Sequence, residues 1–154
     1  GLNFRDIALD VGRLPYRQMR RDWASGNATV PDRSDSFWLD RTLKISVTEQ
    51  VTFLEDLLTG DLSVSPKAIA ALAKASKTGT IKDIALHGKT GAGTIEPGNF
   101  DGPFEGWYVG WLARDTEPTA TFALHVRGES FQQIRAFRKD FARTLLAKCG
   151  LLPG

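Results

Sequence analysis

The sequence predicts an α+β fold in which helices come first, about three antiparallel strands follow, and one helix completes the order. Two observations carry this prediction. Apolar residues recur at helical spacing through the first half of the chain and again near its end. Between residues 81 and 126, β-branched and aromatic residues collect in short runs that glycine and proline separate. No internal repeat or linker interrupts the chain, so residues 1–154 are predicted to form a single unit.

The composition is that of an ordinary globular protein. Hydrophobic residues make up 42% of the 154 residues and charged residues 25%, which argues against disorder. Twenty Lys and Arg oppose 18 Asp and Glu, a formal net charge of +2. These charges are spread along the chain, so nothing favours a nucleic-acid partner. No apolar run approaches the roughly 18 residues of a membrane span, and no signal peptide opens the sequence.

The first part of the chain is predicted to hold two short helices and a long loop. Apolar residues at helical spacing predict a helix over residues 4–11, and Pro15 is suited to open a second. Residues 23–41 show weak periodicity and many turn-forming residues, which is typical of a long structured loop. The bulky neighbours Phe37 and Trp38 indicate that this loop is packed.

Two later helices carry sequence signals at their starts. Residues 46–49 read Ser-Val-Thr-Glu, a capping box in which the serine side chain bonds a free amide and the glutamate reaches back. The apolar stripe behind it extends to Leu58. Ser65 and Pro66 open the next helix, because proline suits the first helical position. This helix is predicted to end near Gly79.

Three strands and a final helix follow. The strands are predicted over residues 81–87, 107–113 and 119–126, and the short polar interval between the last two suits a hairpin. The final helix is predicted to bury one apolar face and to keep its cations outside. The predicted buried face is Ile134, Phe137, Phe141 and Leu145, and the predicted outer cations are Arg138, Lys139 and Arg143.

A Lys-Thr-Gly triplet directly follows the first predicted strand. Lys89, Thr90 and Gly91 continue directly from residues 84–88. In penicillin-recognising enzymes, this triplet lies at a strand edge, where each of its three residues has a defined role in binding and catalysis. The ammonium acts on the nucleophile and the anionic substrate, the hydroxyl donates to the substrate carboxylate, and the glycine lets the ligand lie along the strand.

A second copy of the triplet supplies an internal control. Lys77, Thr78 and Gly79 follow a helical run rather than a strand. A structural interpretation therefore fits this copy, with a basic residue in the last helical turn and a glycine cap.

Several stretches in register resemble the class D serine β-lactamases. They extend from about Phe4 to Leu152, nearly the whole chain, and so are far more specific than one triplet. The stretches are residues 36–39 (Ser-Phe-Trp-Leu), 43–46 (Leu-Lys-Ile-Ser), 49–51, 53–54, 86–91 (Leu-His-Gly-Lys-Thr-Gly), 106–111 (Gly-Trp-Tyr-Val-Gly-Trp), 134–135 and 150–152. The sequence is identified as the C-terminal portion of a β-lactamase or penicillin-binding transpeptidase-like domain, whose sheet and helices are incomplete without the N-terminal part.

The resemblance implies roles for five residues. Lys89, Thr90 and Gly91 correspond to the strand that flanks the active site, with Thr90 and Gly91 contacting substrate. The backbone N–H of Ala92 corresponds to one donor of the oxyanion hole. Arg135 resembles the guanidinium that grips the β-lactam carboxylate, a role that its planar fork suits.

Two further positions follow from the same resemblance. Trp38 resembles the tryptophan that steadies a carboxylated lysine, the general base of the family. Residues 25–27, Ser-Gly-Asn, stand where the family usually has Tyr-Gly-Asn, so the loss of the tyrosine alters that corner of the pocket.

Other polar residues are interpreted structurally. His87 is expected to pack or to lie at the surface, Glu49 is a capping residue, and Cys149 is an inert thiol. One cysteine forms no intrachain disulfide, and two histidines make a zinc cage implausible. No metal or organic cofactor is implied.

The residues that would attack the substrate are missing from these 154 residues. The family's chemistry needs Ser-x-x-Lys on one helical turn, and no serine of the chain has lysine three residues later. The family's Ser-x-Val element, expected just before Leu2, is also missing. The carboxylated lysine is therefore expected only in the N-terminal part. The chain alone is predicted to be inactive.

Three functions remain open from the residues. The leading one is the C-terminal portion of a class D serine β-lactamase, which in complete form hydrolyses β-lactams through an acyl-enzyme. The alternatives are a penicillin-binding sensor domain and a catalytically dead, truncated relative. The expected partners are β-lactams and either the missing N-terminal portion or a second copy, because strand 119–126 would otherwise have an open edge. The resemblance implies a periplasmic or secreted location.

Overall fold

The computed structural model describes residues 45–96 and 98–153. They form helices α1 (Val47–Thr59) and α2 (Pro66–Ser76), strands β1 (Lys77–Ile81), β2 (Ile84–Thr94), β3 (Phe104–Arg114) and β4 (Glu117–Gly128), and helix α3 (Phe131–Lys148). The predicted α+β order is confirmed. The helices predicted at residues 4–11 and from Pro15, and the loop 23–41, lie outside the described residues. Residue contacts group Gly1–Gln50 and Val51–Gly154 as two compact units, and the sheet belongs to the second. The single unit predicted for residues 1–154 stays a prediction.

Side-chain caps begin the described helices. At α1 the backbone N–H of Ser46 donates to Glu49 Oε2 (2.6 Å), and the N–H of Glu49 donates to Ser46 Oγ (3.2 Å), which confirms the capping box. At α2, Ser65 Oγ accepts from the N–H of Ala68 and a proline occupies the first helical position, as predicted. At α3, Ser130 Oγ accepts from the N–H of Gln133.

The sheet has four antiparallel strands in the order β1-β2-β3-β4, one more than predicted. The strand predicted over residues 81–87 is wrong. It contains the end of β1, a turn at Lys82 and Asp83, and the start of β2. Lys82 has φ of +54°, a left-handed conformation that the sequence does not announce with glycine. The first Lys-Thr-Gly copy is likewise strand, not helix cap, because α2 ends at the extended residue Lys77.

The predicted hairpin between the last two strands is confirmed. Asp115 and Thr116 connect β3 to β4, and both have positive φ, at +48° and +75°. Two successive positive φ values match the right-handed twist of the flanking strands. Short polar side chains therefore provide a tight hairpin without glycine.

The two faces of the sheet contact different helices. The face that we call the α3 face carries Leu86, Tyr108, Leu112 and Phe122, which pack with Ala142 and Leu146 of α3. Strand side chains alternate, so the other face, the α2 face, carries His87, Lys89 and Gly91. The α2 face meets the helix for which it is named where His87 Nδ1 bonds the carbonyl of Ala73 (2.9 Å).

The buried side of α3 differs from the prediction. The buried residues are Ile134, Arg138, Ala142 and Leu146, whereas Phe137 is 49% and Leu145 37% exposed. Only Ile134 of the predicted face is buried, and Arg138, predicted to lie outside, is 7% exposed. The choice of buried face is set by two glycines on the strands against which α3 packs. A Cβ on Gly106 or Gly128 would stand 3.0 Å or 2.8 Å from Ile134, so these glycines admit that row of α3.

Candidate functional site

The second Lys-Thr-Gly triplet lies on a strand edge. β1 pairs with β2 only between Ile84 and His87, whereas β3 pairs with β2 along its whole length, from Ile84 to Thr94. Among the described residues, positions 88–94 of β2 therefore have no strand on their second side. We call this stretch the open edge. It is the arrangement that allows an extended ligand to bind as an added strand.

The four predicted residues of this strand are brought together but divide between its faces. Because side chains alternate along a strand, Lys89 and Gly91 share the α2 face, and Thr90 and Ala92 share the α3 face. Lys89 is exposed, and its Nζ donates to the carbonyl of Thr90. A Cβ at Gly91 would meet only Trp107 Cβ, at 3.8 Å. The edge at Gly91 is thus uncrowded on its own face.

His87 anchors the strand just before the motif. Its side chain is buried, and its ring stacks on Trp111 with centroids 4.7 Å apart and planes 2° apart. Since Nδ1 contacts the carbonyl of Ala73, the neutral ring carries its proton on Nδ1. Burial lowers the pKa of His87 below 6.5, the bond to Ala73 opposes this, and the charge of Lys77 adds to it. The packing role expected for His87 is confirmed.

Arg135, the predicted carboxylate-gripping residue, is exposed on α3. One turn further along, Arg138 is buried, and its Nε and Nη1 have no hydrogen-bond partner among the described residues. Burial lowers the pKa of Arg138, and the charge of Arg135 lowers it further. A buried guanidinium without an acceptor is costly, and so it is a strong candidate to bind an anion.

Arg138 lies on the same face of the sheet as Thr90 and Ala92. Its Nη1 stands 3.5 Å from the point that a Cβ on Gly106 would occupy, and Gly106 is directly opposite Ala92 in the β2–β3 register. Arg138 was not recognised as a site residue from the sequence, because several of its neighbours on α3 are charged. Two features of the sequence indicate Arg138: its place in the i, i+4 row with Ile134, Ala142 and Leu146, and the small residue Gly106 on the strand that this row contacts.

The α2 face holds a second group of polar and aromatic side chains that was not predicted from the sequence. His125 Nε2 of β4 contacts Glu105 Oε2 of β3 at 3.2 Å, and the His125 and Trp107 rings lie 4.6 Å apart. Trp107 is opposite both Gly91 and His125 in the register. These side chains therefore continue the α2 face from the Lys-Thr-Gly strand toward β4.

The remaining predicted features are distributed as follows. Trp38 and residues 25–27 lie outside the described residues, and the role of Trp38 stays a prediction. Cys149 is an exposed free thiol. Within residues 45–96 and 98–153, no three His, Cys, Asp or Glu side chains cluster to hold a metal ion. None of the described helices is long and apolar enough to cross a membrane.

Comparisons with known proteins relate this chain to a family. No protein-family model matches the sequence. The β-lactamase OXA-10 of Pseudomonas aeruginosa is 32% identical over 151 residues, covering 98% of this chain and 55% of that protein. A solved class D β-lactamase from Sebaldella termitidis has a TM-score of 0.66 at 27% identity, covering 80% of this chain and 48% of its own.

A penicillin receptor shows the same likeness. The C-terminal domain of the BlaR penicillin-receptor of Bacillus licheniformis has a TM-score of 0.65 at 26% identity, covering 76% of this chain and 45% of that one. The chain thus spans about half the length of the relatives it matches. The family resemblance and the fold it implies are confirmed: this chain is a homologue of the class D β-lactamases and corresponds to the C-terminal portion of their fold.

Proposed function

We propose that this chain forms the substrate-gripping wall of a serine β-lactamase, with β-lactams as its ligands. One juxtaposition carries the proposal: the Lys-Thr-Gly triplet at residues 89–91 lies on the open edge of β2, and the buried Arg138 of α3, whose Nε and Nη1 have no hydrogen-bond partner among the described residues, packs against the neighbouring strand β3. An open strand edge and a guanidinium with two unpaired N–H groups among the described residues together suit a ligand that has an amide bond and a carboxylate.

The open edge suggests how the ligand is held. The β-lactam lies along β2 at Gly91, where no side chain obstructs it. The Lys89 ammonium lowers the pKa of a nucleophile and attracts the anionic substrate, and the Thr90 hydroxyl donates to the carboxylate. The backbone N–H of Ala92 donates to the oxyanion that forms when the amide is attacked. One such donor is worth roughly 10²–10³ in rate.

Two arginines compete for the substrate carboxylate. The family resemblance assigns this role to Arg135, which is exposed. The geometry favours Arg138, because its buried Nε and Nη1 lack acceptors among the described residues and its Nη1 lies close to Gly106, the residue opposite Ala92. A planar guanidinium binds a carboxylate through two parallel hydrogen bonds. We assign the grip to Arg138, with Arg135 as the rival that the same experiment tests.

The attacking serine and its lysine must come from outside these 154 residues, since no Ser-x-x-Lys is present. The carboxylated lysine that serves as general base belongs to the same outside part, and Trp38 steadies it. The chain alone is therefore expected to hydrolyse nothing. It supplies binding, one oxyanion donor and the positive charge around the nucleophile.

A penicillin sensor is the second candidate, and the likeness to the BlaR penicillin-receptor favours it. A sensor and a hydrolase share the acylation step and differ in how fast the acyl group leaves. An acyl lifetime of hours in the full-length protein supports the sensor, whereas a sub-second lifetime supports the hydrolase. A catalytically dead relative would show no acylation at all.

The test is incubation of the full-length protein with a fluorescent penicillin, followed by a denaturing gel. We expect a labelled band that excess unlabelled penicillin removes, and no label on residues 1–154 alone. Lys89→Ala should slow labelling by about a hundredfold, whereas the matched Lys77→Ala in the other triplet should leave it unchanged. Absence of label on the full-length protein, or equal effects of the two lysine variants, refutes the proposal.

The outer edge of β4 suggests a further partner. β4 is twelve residues long and stands at the end of the described sheet, with no charged residue between Glu117 and Arg127. Such an edge recruits another strand, which we propose comes from the N-terminal part of the protein or from a second copy. Size-exclusion chromatography with mass detection tests this, and a stable monomer of residues 1–154 contradicts it. An exported location, periplasmic or secreted, accompanies the proposed function.

A further inference from the structure

The first Lys-Thr-Gly triplet has an unusual place in the sheet. In the β1–β2 register Lys77 is opposite His87, and Gly79 is opposite Leu86. Lys77 and Gly79 lie two residues apart on β1, but their partners are consecutive on β2, so Thr78 is the additional residue of a β-bulge. Bulges re-aim a side chain or end the pairing of two strands, and they are common next to active sites. Here the pairing ends and the open edge begins.

The bulge directs the Thr78 hydroxyl to two partners. Thr78 Oγ1 lies 3.1 Å from the carbonyl oxygen of Leu86 and 3.4 Å from the hydroxyl oxygen of Tyr108. A carbonyl only accepts, so Thr78 gives its one proton to Leu86 and accepts from Tyr108. Tyr108 is 1% exposed, and a hydroxyl buried so deeply needs a partner. The result is a hydrogen-bonded chain from β3 through β1 to β2.

This hydrogen-bonded chain passes over the first residue of the open edge. Tyr108 is opposite Thr90 in the register, yet its ring leans across Gly88. A Cβ on Gly88 would stand 2.6 Å from Tyr108 Cε2 and 2.9 Å from its hydroxyl oxygen. The absence of a side chain at Gly88 therefore lets Tyr108 reach β1. The hydroxyls of Tyr108 and Thr78 together join three strands at Leu86, three residues before Lys89.

We propose that Thr78 is a positioning residue for the second Lys-Thr-Gly triplet, holding the start of the open edge in place through Leu86 and Tyr108. This inference rests on the proposed function, because it assigns the open edge to substrate. Beyond His87, β2 has no strand partner on this side within residues 45–96 and 98–153. The Thr78 hydroxyl and the Lys77–His87 pair are thus the last contacts between β1 and β2 before residues 89–92.

The test compares two substitutions at one position in the full-length protein. Thr78→Val keeps the shape of threonine and removes the hydroxyl, whereas Thr78→Ser keeps the hydroxyl and removes a methyl group. We expect the acylation rate for a penicillin to fall about tenfold in Thr78→Val, as for one lost hydrogen bond, and to stay within about twofold in Thr78→Ser. Thr80→Val, two residues along β1, is the matched control and should resemble the wild type.

A second readout does not depend on substrate. Hydrogen exchange at the amides of residues 88–92 should become faster in Thr78→Val and remain at the wild-type rate in Thr78→Ser and Thr80→Val. A role in packing alone predicts the opposite order, because valine fills the site better than serine, and that order overturns the inference. Equal rates and equal exchange in all variants also overturn it. If the wild type takes no penicillin, the proposed function fails, and the exchange measurement alone decides the positioning role.

Discussion

His87 and Trp111 are directly opposite each other on β2 and β3, and their rings lie parallel with centroids 4.7 Å apart. The same imidazole bonds the carbonyl of Ala73 on α2. One side chain thus joins a helix to the centre of the sheet, two residues before Lys89. A protonated ring in this place is disfavoured because little water reaches it.

Acid is therefore expected to destabilise the protein through His87. Burial holds the folded-state pKa of His87 below 6.5, the value of an unfolded histidine. As the pH falls below 6.5, His87 is protonated in the unfolded state before it is protonated in the folded state. The free energy of unfolding is therefore greatest above pH 6.5 and falls as the pH drops from 6.5 through the folded-state pKa. Urea denaturation between pH 5 and pH 8 measures the fall.

The matched control for the acid effect is His87→Phe, which keeps a ring for stacking and has no titrating group. The difference in unfolding free energy between wild type and variant isolates His87 from His125 and the carboxylates. This difference should vary with pH in the stated direction. A difference that stays constant from pH 5 to pH 8 contradicts the assignment.

Local chemistry was enough to predict several parts of the fold. The capping box at Ser46 and Glu49, the start of α2 at Ser65 and the β3–β4 hairpin all depend on residues close in sequence. The first hairpin escaped prediction because Lys82 adopts a positive φ that neither its own side chain nor Asp83 signals. Residues 81–87, with their isoleucines at both sides of the turn, therefore appeared to be one strand.

The buried face of α3 depends on residues far away in sequence. Two rows of residues compete on this helix, one through Phe137 and one through Ala142, and hydrophobicity alone favours the row of Phe137, which is not the buried one. Gly106 and Gly128 across the sheet decide, since they leave room for the row of Ile134 and Arg138. The Lys-Thr-Gly motif was visible from sequence, whereas the buried guanidinium beside it required the packing of α3 on β3.

The capping box should contribute measurably to stability. Ser46→Ala removes the acceptor for the Glu49 N–H and is expected to lower the free energy of unfolding by about 1 kcal/mol. Ser46→Gly should cost only a few tenths of that, about 0.3 kcal/mol. Thr48→Ala, in the same first turn of α1, is the control. Equal losses for Ser46→Ala and Thr48→Ala in urea denaturation would show that the cap contributes nothing.

Gly110 is expected to tolerate no side chain. A Cβ there would stand against the backbone carbonyl oxygen of His87, far inside any normal contact, so β2 and β3 must separate. Gly110→Ala should lower the free energy of unfolding by about 3 kcal/mol or more. Gly79→Ala is the matched control, because no atom lies within 4 Å of its Cβ position. It should change stability by less than about 1 kcal/mol.

Arg138 is expected to lower the stability of the protein and to strengthen substrate binding. Arg138→Met removes a buried guanidinium whose Nε and Nη1 lack acceptors among the described residues, so the free energy of unfolding should rise by about 1 kcal/mol or more. The same change should weaken capture of carboxylate-bearing penicillins by about 2–5 kcal/mol. The methyl ester of the same penicillin should be captured equally by wild type and variant, because it has no carboxylate for the guanidinium to bind.

The matched variant Arg135→Met should alter the free energy of unfolding by less than about 0.5 kcal/mol and should still acylate faster with the acid than with the ester. Acylation rates of the acid and the ester in the full-length protein separate the roles of the two arginines. If only Arg135→Met loses the preference for the acid, Arg135 binds the carboxylate, and another group must balance the buried charge of Arg138.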